Sequence, residues 1–239
     1  MFQKAVAPIT ERLSKQLGHM PEYTTLFIPS IFDYNVRDAA ASAVFGDYFD
    51  RAVRPGWTRE ATCPGFGFLE GKNLGRKPEE CVDGGPVNVI LVFEYENDYL
   101  YAWLMEVEFE LQTYPVILKE ICKECGESFQ EEIDEEAYKK RVNTFLHNFI
   151  NDQVMRTHQR DSLRAIIISG EATTPAITSL GVMAKQAVGT ETVKIMTDID
   201  PPEVVAHGAA VWARLTQQIP QVFMPDAGNG ISPLGHDEL

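Results

Sequence analysis

The strongest constraint on the fold is a change of pattern near residue 85, where irregular sequence gives way to long apolar runs. Three such runs follow one another at 87–94, 99–107 and 109–116, with only short polar breaks between them. Runs of this kind, rich in Val, Leu, Phe and Tyr, are typical of buried β-strands. Their short connections favour an antiparallel meander, because a parallel pair needs a crossover of about a dozen residues or more. The sequence therefore predicts three consecutive antiparallel strands.

Beyond the third run, helical and extended patterns alternate. An apolar period of about 3.6 residues extends from Ala137 to about His158 and predicts a long amphipathic helix. The remaining pattern predicts a strand, a helix, a strand and a helix, at 165–168, 175–188, 192–196 and 202–217 respectively. Strands that alternate with helices favour parallel crossovers. The stretch 86–217 is therefore predicted to form an α/β unit with the element order β-β-β-α-β-α-β-α.

The sequence before this unit predicts fewer elements. Charged side chains interrupt the apolar ones every three or four positions in residues 1–18, which predicts an amphipathic helix. A β-rich run at 23–28 ends at Pro29, and Asp33 is placed to cap a helix that extends to about Ala52. A strand followed by a helix is therefore expected ahead of the α/β unit.

Pro and Gly residues mark the boundaries of the parts. They predict irregular structure at 55–75 and a linker at 77–86, and they are frequent again from Pro220 onwards. We therefore predict three parts, namely a partial unit at 1–85, the α/β unit at 86–217 and a flexible tail at 218–239.

Charge and hydropathy exclude several classes of partner. The chain of 239 residues carries 21 basic and 35 acidic side chains, a formal charge of −14. Since no cluster of Lys and Arg offers a basic surface, we expect no nucleic-acid partner. No apolar run approaches the roughly 20 residues that span a bilayer, so no membrane segment is expected. The N-terminus lacks the pattern of a secretory signal, which favours the cytoplasm. The final His236–Leu239 matches the retention tetrapeptide of the endoplasmic reticulum, so its lumen is the alternative.

The cysteines and the acidic residues do not predict a metal site. Cys122 and Cys125 have the spacing of a zinc or redox pair, but Cys63 and Cys81 do not complete a set of four ligands. Acidic neighbours raise the pKa of such thiols, so we expect free thiols without redox chemistry. Eight acidic residues at 120–136 are interpreted as a solvated face, because no spaced ligand set emerges among them.

Two segments at predicted strand ends carry the most specific signal, and a third lies upstream. The first reads Ile166-Ile-Ile-Ser-Gly-Glu-Ala-Thr-Thr-Pro175, and the second reads Ile199-Asp-Pro-Pro-Glu-Val-Val-Ala-His-Gly-Ala-Ala-Val211. The third reads Leu26-Phe-Ile-Pro-Ser-Ile-Phe-Asp-Tyr-Asn-Val-Arg37. Together they resemble the nucleotide-binding domain of the seventy-kilodalton heat-shock chaperones, which belong to the actin-like ATPase superfamily. The Ser-Gly-Glu-Ala form of the first segment resembles the divergent heat-shock-like proteins of filamentous fungi.

The resemblance implies an α/β, actin-like ATPase fold. Its second, ribonuclease-H-like lobe would be complete at 86–217, whereas the first lobe at 1–85 would be partial and truncated at the N-terminus. In that family the first segment is the adenosine loop, which places Gly170, Glu171 and Thr173 beside a nucleotide. A phosphate-binding hairpin of the family falls in register at Glu94.

This chain departs from the family where phosphate is bound. The glycine-rich hairpin of the family corresponds to Glu94-Tyr-Glu-Asn-Asp-Tyr99, which contains no glycine. Side chains at 96–98 would fill the space of the phosphates, and their carboxylates would repel them. Ser169 replaces a glycine of the adenosine loop, and Thr173 replaces an arginine that stacks on adenine. The first phosphate loop and the catalytic lysine have no counterpart. We therefore expect no efficient ATP hydrolysis and assign no catalytic residue and no required cofactor.

Three functions stay open at this point. The first is a degenerate heat-shock-like pseudo-ATPase that acts as a binding or regulatory scaffold. The second is an enzyme of small-molecule, secondary metabolism that uses the interlobe cleft, with Tyr95, Tyr99, Trp103, Glu171 and His207 as its walls. The third is a chaperone-like protein with residual binding of ATP or ADP. A partial first lobe would expose an unpaired strand edge, so a protein partner or a homo-oligomer is expected.

Overall fold

A computed structural model describes residues 2–46, 55–67, 74–82, 85–107, 113–157, 160–190 and 192–218. The tail predicted from residue 218 lies outside these residues from 219 onwards, as does the predicted end of the second helix at 47–52. Among the described helices, none is long and apolar enough to cross a membrane.

A five-stranded mixed sheet forms the centre of the molecule. Its strands are β3, β4, β5, β6 and β7, at Asn88–Tyr95, Leu100–Val107, Thr113–Cys122, Leu163–Ser169 and Lys194–Met196. The spatial order is β5-β4-β3-β6-β7. The first three strands in sequence pair antiparallel, and β3, β6 and β7 pair parallel. The meander and the parallel crossovers predicted from the sequence are confirmed.

The third strand was placed too early in the sequence. The prediction covered 109–116, whereas β5 extends to Cys122. Its last five residues, 118–122, alternate between half-buried and exposed. An edge strand of this kind has one solvated face and therefore lacks the continuous apolar run on which the prediction depended.

Helices cover both faces of the sheet. One face carries α5 (Glu135–His147) and α7 (Thr174–Val188), which pack on residues such as Leu91 and Phe93. The other face carries α3 (Thr58–Gly65) and α8 (Val204–Gln218), which pack on residues such as Trp103. All eight positions of β3 are buried, because helices cover both faces of the sheet. This explains why the apolar run at 87–94 shows no polar alternation.

The long helix predicted from Ala137 is interrupted. The chain leaves α5 through a π-helical stretch at Asn148–Val154 and reaches the short helix α6 at Met155–Thr157. A short helix, α4 (Phe129–Glu132), precedes α5. Apolar spacing alone does not distinguish a π-helical turn from an α-helical one, so the sequence could not predict the change.

The first part of the chain contains α1 (Phe2–Leu17), β1 (Leu26–Ile28), α2 (Tyr34–Phe45) and β2 (Pro55–Trp57). Strands β1 and β2 pair parallel in a separate two-stranded sheet. The predicted cap of α2 is confirmed, because the Asp33 carboxylate accepts a hydrogen bond of 2.9 Å from the Val36 N–H.

The prediction of irregular structure at 55–75 was wrong for its first half. Residues 55–65 form β2 and α3, and Ala61 and Cys63 in α3 are fully buried. Proline is tolerated in a short edge strand such as β2, and Pro64 and Gly65 fall in the last turn of α3. The Pro and Gly residues therefore mark element ends here and not a loop.

Helices α3 and α8 approach each other at a glycine. A Cβ atom added to Gly208 would lie 1.7 Å from the carbonyl oxygen of Ala61. The Trp212 indole N–H donates to the Glu60 carbonyl oxygen at 2.9 Å beside this contact. Among the small residues of α8, Gly208 is buried, whereas Ala206 and Ala210 are exposed. On the facing helix, a Cβ atom added to Gly65 would lie 2.8 Å from the Val204 carbonyl oxygen, so close packing of the two parts of the chain depends on Gly208 and Gly65.

We expect Gly208→Ala to destabilise the protein by about 1–3 kcal/mol, because the added methyl group forces two backbones apart. Gly181→Ala in α7 is the matched control, since its added Cβ would meet only side-chain atoms, the nearest at 3.4 Å. That control should be neutral or more stable by up to about 1 kcal/mol, the helix propensity difference between Ala and Gly. Urea unfolding of both variants measures the difference, and equal effects would contradict the packing described here.

Candidate functional site

The residues singled out from the sequence meet at the carboxyl ends of β3 and β6. Glu94 and Ser169 are paired across the two strands. Gly170, Glu171 and Thr173 follow immediately in the loop that leads into α7. The carboxyl ends of adjacent parallel strands are a common position for ligand sites in α/β proteins.

The loop at 170–173 lies directly against the end of β3. Gly170 has φ +117°, and a Cβ atom there would lie 2.2 Å from the Tyr95 carbonyl oxygen. The Gly170 N–H donates to the carbonyl oxygen of Pro201, and the Ala172 N–H donates to that of Tyr95, both at 3.2 Å. Only glycine combines this φ with so close a backbone approach.

The other two N–H groups of the loop bind carboxylates of the protein itself. The Glu171 N–H donates to the Glu96 carboxylate at 3.2 Å. The Thr173 N–H donates to the Glu127 carboxylate at 2.7 Å, and the Thr173 hydroxyl donates to the same carboxylate. Thr173 is the N-cap residue of α7, and a helix N-terminus is a position at which an anionic ligand would bind. All four N–H groups at 170–173 thus have acceptors within the chain.

Glu127 is positioned by a short segment that packs under the β3–β4 turn. Its N–H donates to the Glu96 carbonyl oxygen at 3.0 Å, and the next N–H, of Ser128, donates to the Asn97 carbonyl oxygen at 2.9 Å. The Ser128 hydroxyl donates to the same oxygen at 2.7 Å. A Cβ atom added to Gly126 would lie 2.3 Å from it. The sequence assigned Glu127 to a solvated acidic face, and no local pattern distinguishes it from its acidic neighbours.

A disulfide bond closes the start of this segment. Cys122 and Cys125 are bonded, with their Cα atoms 5.3 Å apart, which corrects the expectation of free thiols at this pair. Cys63 and Cys81 are free. The Tyr138 hydroxyl donates a hydrogen bond of 3.0 Å to the Cys125 carbonyl oxygen. It also lies 2.7 Å from the Tyr95 hydroxyl. The segment is therefore connected to β5 by a covalent bond and to α5 by a hydrogen bond.

Glu94 is a buried carboxyl group that joins α3 to the sheet. Its side chain accepts hydrogen bonds from the Thr58 hydroxyl at 2.9 Å and the Tyr99 hydroxyl at 2.5 Å. Burial raises the pKa of Glu94 above its usual range, and the two hydroxyl donors oppose that shift. Beside it, the buried Ser169 hydroxyl has no hydrogen-bond partner among the described residues. Glu94 thus takes a structural role on the face opposite to α7.

Glu96 titrates near neutrality. Its pKa is raised from 4.5 to about 7, chiefly by partial burial and in addition by the negative charges of Glu94 and Glu171. The hydrogen bond from the Glu171 N–H opposes this shift. The carboxylate that meets the loop therefore changes charge in the physiological range of pH.

The cleft walls proposed for a small-molecule enzyme do not line one cavity. Tyr95 lies in the core beneath α5 and α7, whereas Trp103 lies beneath α3 and α8 on the opposite face. His207 is exposed on α8, with its Nε2 atom 3.7 Å from a Glu203 carboxylate oxygen. Two surface grooves of about 600 Å³ lie elsewhere, one along α5 and one between α1 and α2. Within the described ranges, no cluster of three or more His, Cys, Asp or Glu could hold a metal ion.

The chain matches no protein-family model and no curated protein sequence. The contacts at the ends of β3 and β6 are therefore the basis for a functional inference.

We expect Glu127→Ala to destabilise the protein by about 1 kcal/mol, because it removes the acceptor of the Thr173 N–H. Glu124→Ala is the matched control, since Glu124 lies in the same segment but pairs at the surface with Arg141. That variant should lie within about 0.5 kcal/mol of the original protein. Chemical denaturation of both variants tests the assignment, and it fails if Glu124→Ala is the more damaging change.

The raised pKa of Glu96 predicts a pH dependence of stability. Since the folded protein holds this proton between pH 4.5 and about 7, whereas the unfolded chain releases it, Glu96 lowers the free energy of unfolding as the pH rises through that interval. Glu96→Gln keeps an acceptor for the Glu171 N–H without the charge. The variant should match the original protein near pH 4.5 and be more stable above pH 7. Thermal melts across this range measure the effect. Asp98→Asn in the same turn is the control, and an equal gain in both variants would exclude this assignment.

Proposed function

We propose that this protein is a pseudo-ATPase, a divergent heat-shock-like nucleotide-binding fold that acts as a binding or regulatory scaffold without hydrolysing ATP. The observation that carries the proposal is the engagement of all four N–H groups at 170–173 by acceptors of the chain itself. In the resembling family this loop contacts adenosine.

The arrangement of the elements supports the family part of the proposal. The second part of the chain has the order β-β-β-α-β-α-β-α on one mixed sheet, which is the order that the resemblance implies for the second lobe. The three resembling segments also come together in space. The Thr25 hydroxyl, just before β1, donates to the Ala209 carbonyl oxygen in α8 at 3.4 Å, and the Gly170 N–H binds Pro201.

The charge at the site opposes binding of a triphosphate. The carboxylates of Glu96 and Glu127 accept the hydrogen bonds that an anion would otherwise receive from the loop. Glu171 and Asp98 add two more carboxylates at the same edge of the sheet. A triphosphate of about four negative charges would have to displace the carboxylates of Glu96 and Glu127 from these N–H groups and then lie beside them. ATP binding in the manner of the family is therefore disfavoured on both hydrogen bonding and charge.

The surface of the first part supports a scaffold that binds protein. Ile31, Phe32 and Tyr34 lie together in sequence between β1 and α2, and each is exposed by 39% or more. Strands β1 and β2 pair only with each other among the described residues, so each presents an outer edge. Exposed aromatic and aliphatic side chains beside free strand edges are features of protein-binding surfaces. We propose that a protein partner or a second copy of the chain binds there.

Thermal unfolding in the presence of magnesium and ATP tests the proposal. A ligand at 100 times its dissociation constant stabilises a protein by about 2.7 kcal/mol, which is readily measured as a rise in Tm. We expect no rise with magnesium ATP or magnesium ADP at millimolar concentration. A rise with either nucleotide would refute the pseudo-ATPase. A rise with adenosine that phosphate groups do not increase would instead favour the chaperone-like alternative.

A further inference from the structure

The disulfide bond between Cys122 and Cys125 lies at the base of the segment that carries Glu127. Cys122 is the last residue of β5, and Cys125 is three positions further on. Cys125 is fully buried, whereas Cys122 is half-buried, so a reductant in solution reaches the bond from the side of Cys122. A bond that is accessible from one side can undergo thiol–disulfide exchange.

The three residues after the disulfide make the contacts that close the site. Gly126 packs against the backbone of the 96–99 turn, and Ser128 donates twice to the Asn97 carbonyl oxygen. Glu127 binds the turn through its N–H and the loop before α7 through its carboxylate. One short segment thus connects two others that are far apart in the sequence. Its path depends on the position of Cys125, which the disulfide fixes to the end of β5.

We infer that the Cys122–Cys125 disulfide is a redox-controlled latch, which holds residues 125–128 against the 96–99 turn and the 170–173 loop when oxidised and releases them when reduced. The reductant is a dithiol. One of its thiolates attacks the Cys122 sulfur, the S–S bond breaks, and Cys125 leaves as a thiolate that takes up a proton. The second thiol of the reductant then displaces Cys122 and forms the disulfide of the reductant. Two electrons and two protons reach the protein.

The effect of reduction is local because the closed loop is short. A disulfide across so few residues removes little entropy from the unfolded chain compared with one that closes a long loop. Strands β3 and β6 are buried beneath helices on both faces, and their pairing involves neither cysteine, although Cys125 packs in the same core cluster. Reduction therefore frees the Thr173 N–H group, whose acceptor is Glu127, while the Glu171 N–H keeps its bond to Glu96 and the sheet stays intact. As regulation of a scaffold, the latch rests on the proposed function, but its test measures amide protection and not nucleotide binding, so the two can fail separately.

Hydrogen exchange of the full chain, measured by mass spectrometry with and without dithiothreitol, tests the latch. The Cys63→Ser/Cys81→Ser variant is used so that the reductant can act only on Cys122 and Cys125. Reduction should accelerate exchange roughly tenfold or more at the N–H groups of Glu127, Ser128 and Thr173, which donate across this contact, and leave 89–93 and 165–168 unchanged. Unchanged exchange at these three N–H groups would refute the latch, and so would equal acceleration in the two strands, which would indicate that the disulfide stabilises the whole fold.

Two further measurements make the test specific. Alkylation of the denatured, unreduced protein should modify two cysteines of the four. Modification of all four would overturn the inference. In Glu127→Ala, exchange at the Thr173 N–H should already be fast without reductant and should not increase on reduction, because the connection from the latch to the loop is missing. A full response to reduction in that variant would show that Glu127 does not transmit the effect.

Discussion

Four consecutive backbone N–H groups, at residues 170–173, need hydrogen-bond acceptors. This requirement determines which segments lie at the edge of the sheet where β3 and β6 end. A buried backbone donor without a partner costs free energy, and of these four only the Thr173 N–H, at the N-cap of α7, belongs to a helix N-terminus. At 170–173 two of these donors meet carbonyl oxygens, of Pro201 and Tyr95, and two meet carboxylates, of Glu96 and Glu127. The position of the 96–99 turn, of the 125–128 segment and of the start of α8 follows from this requirement, since each supplies one or more acceptors.

Carboxylates differ from carbonyl oxygens as acceptors, because they also bring charge. Glu96 is partly buried among other acidic groups, and its raised pKa shows that its charged form is disfavoured. Glu94, one strand position away from the turn, is buried on the opposite face and is balanced by two hydroxyl donors. The same edge of the sheet therefore holds several carboxyl groups. Such a group of carboxylates repels anionic ligands, and the proposal of a scaffold that does not bind ATP rests on this repulsion.

The disulfide adds a means by which this closed arrangement can open. The hydrogen bonds of Gly126, Glu127 and Ser128 are each modest and act together only while the segment keeps its path. A covalent bond at Cys125 maintains that path at one end, and the Tyr138 hydroxyl supports the same residue from α5. In the proposed latch, loss of the covalent bond leaves these weaker contacts, which must compete with water.

The sequence alone determined the order of the elements in the second part of the chain, the meander and the cap at Asp33, because apolar periodicity and capping chemistry act over neighbouring residues. It also identified the edge of the sheet at which Glu94 and Gly170 lie. It missed α3, the π-helical turn and the end of β5, where Pro, Gly and polar residues have meanings that depend on what packs against them. Only the tertiary structure decided that Glu127 binds Thr173, that Cys122 and Cys125 are joined, and that Gly208 meets Ala61. The contacts of Glu127 and of Gly208 join residues far apart in the sequence, so no local pattern could encode them, and the spacing of the cysteine pair fits free thiols as well as a disulfide.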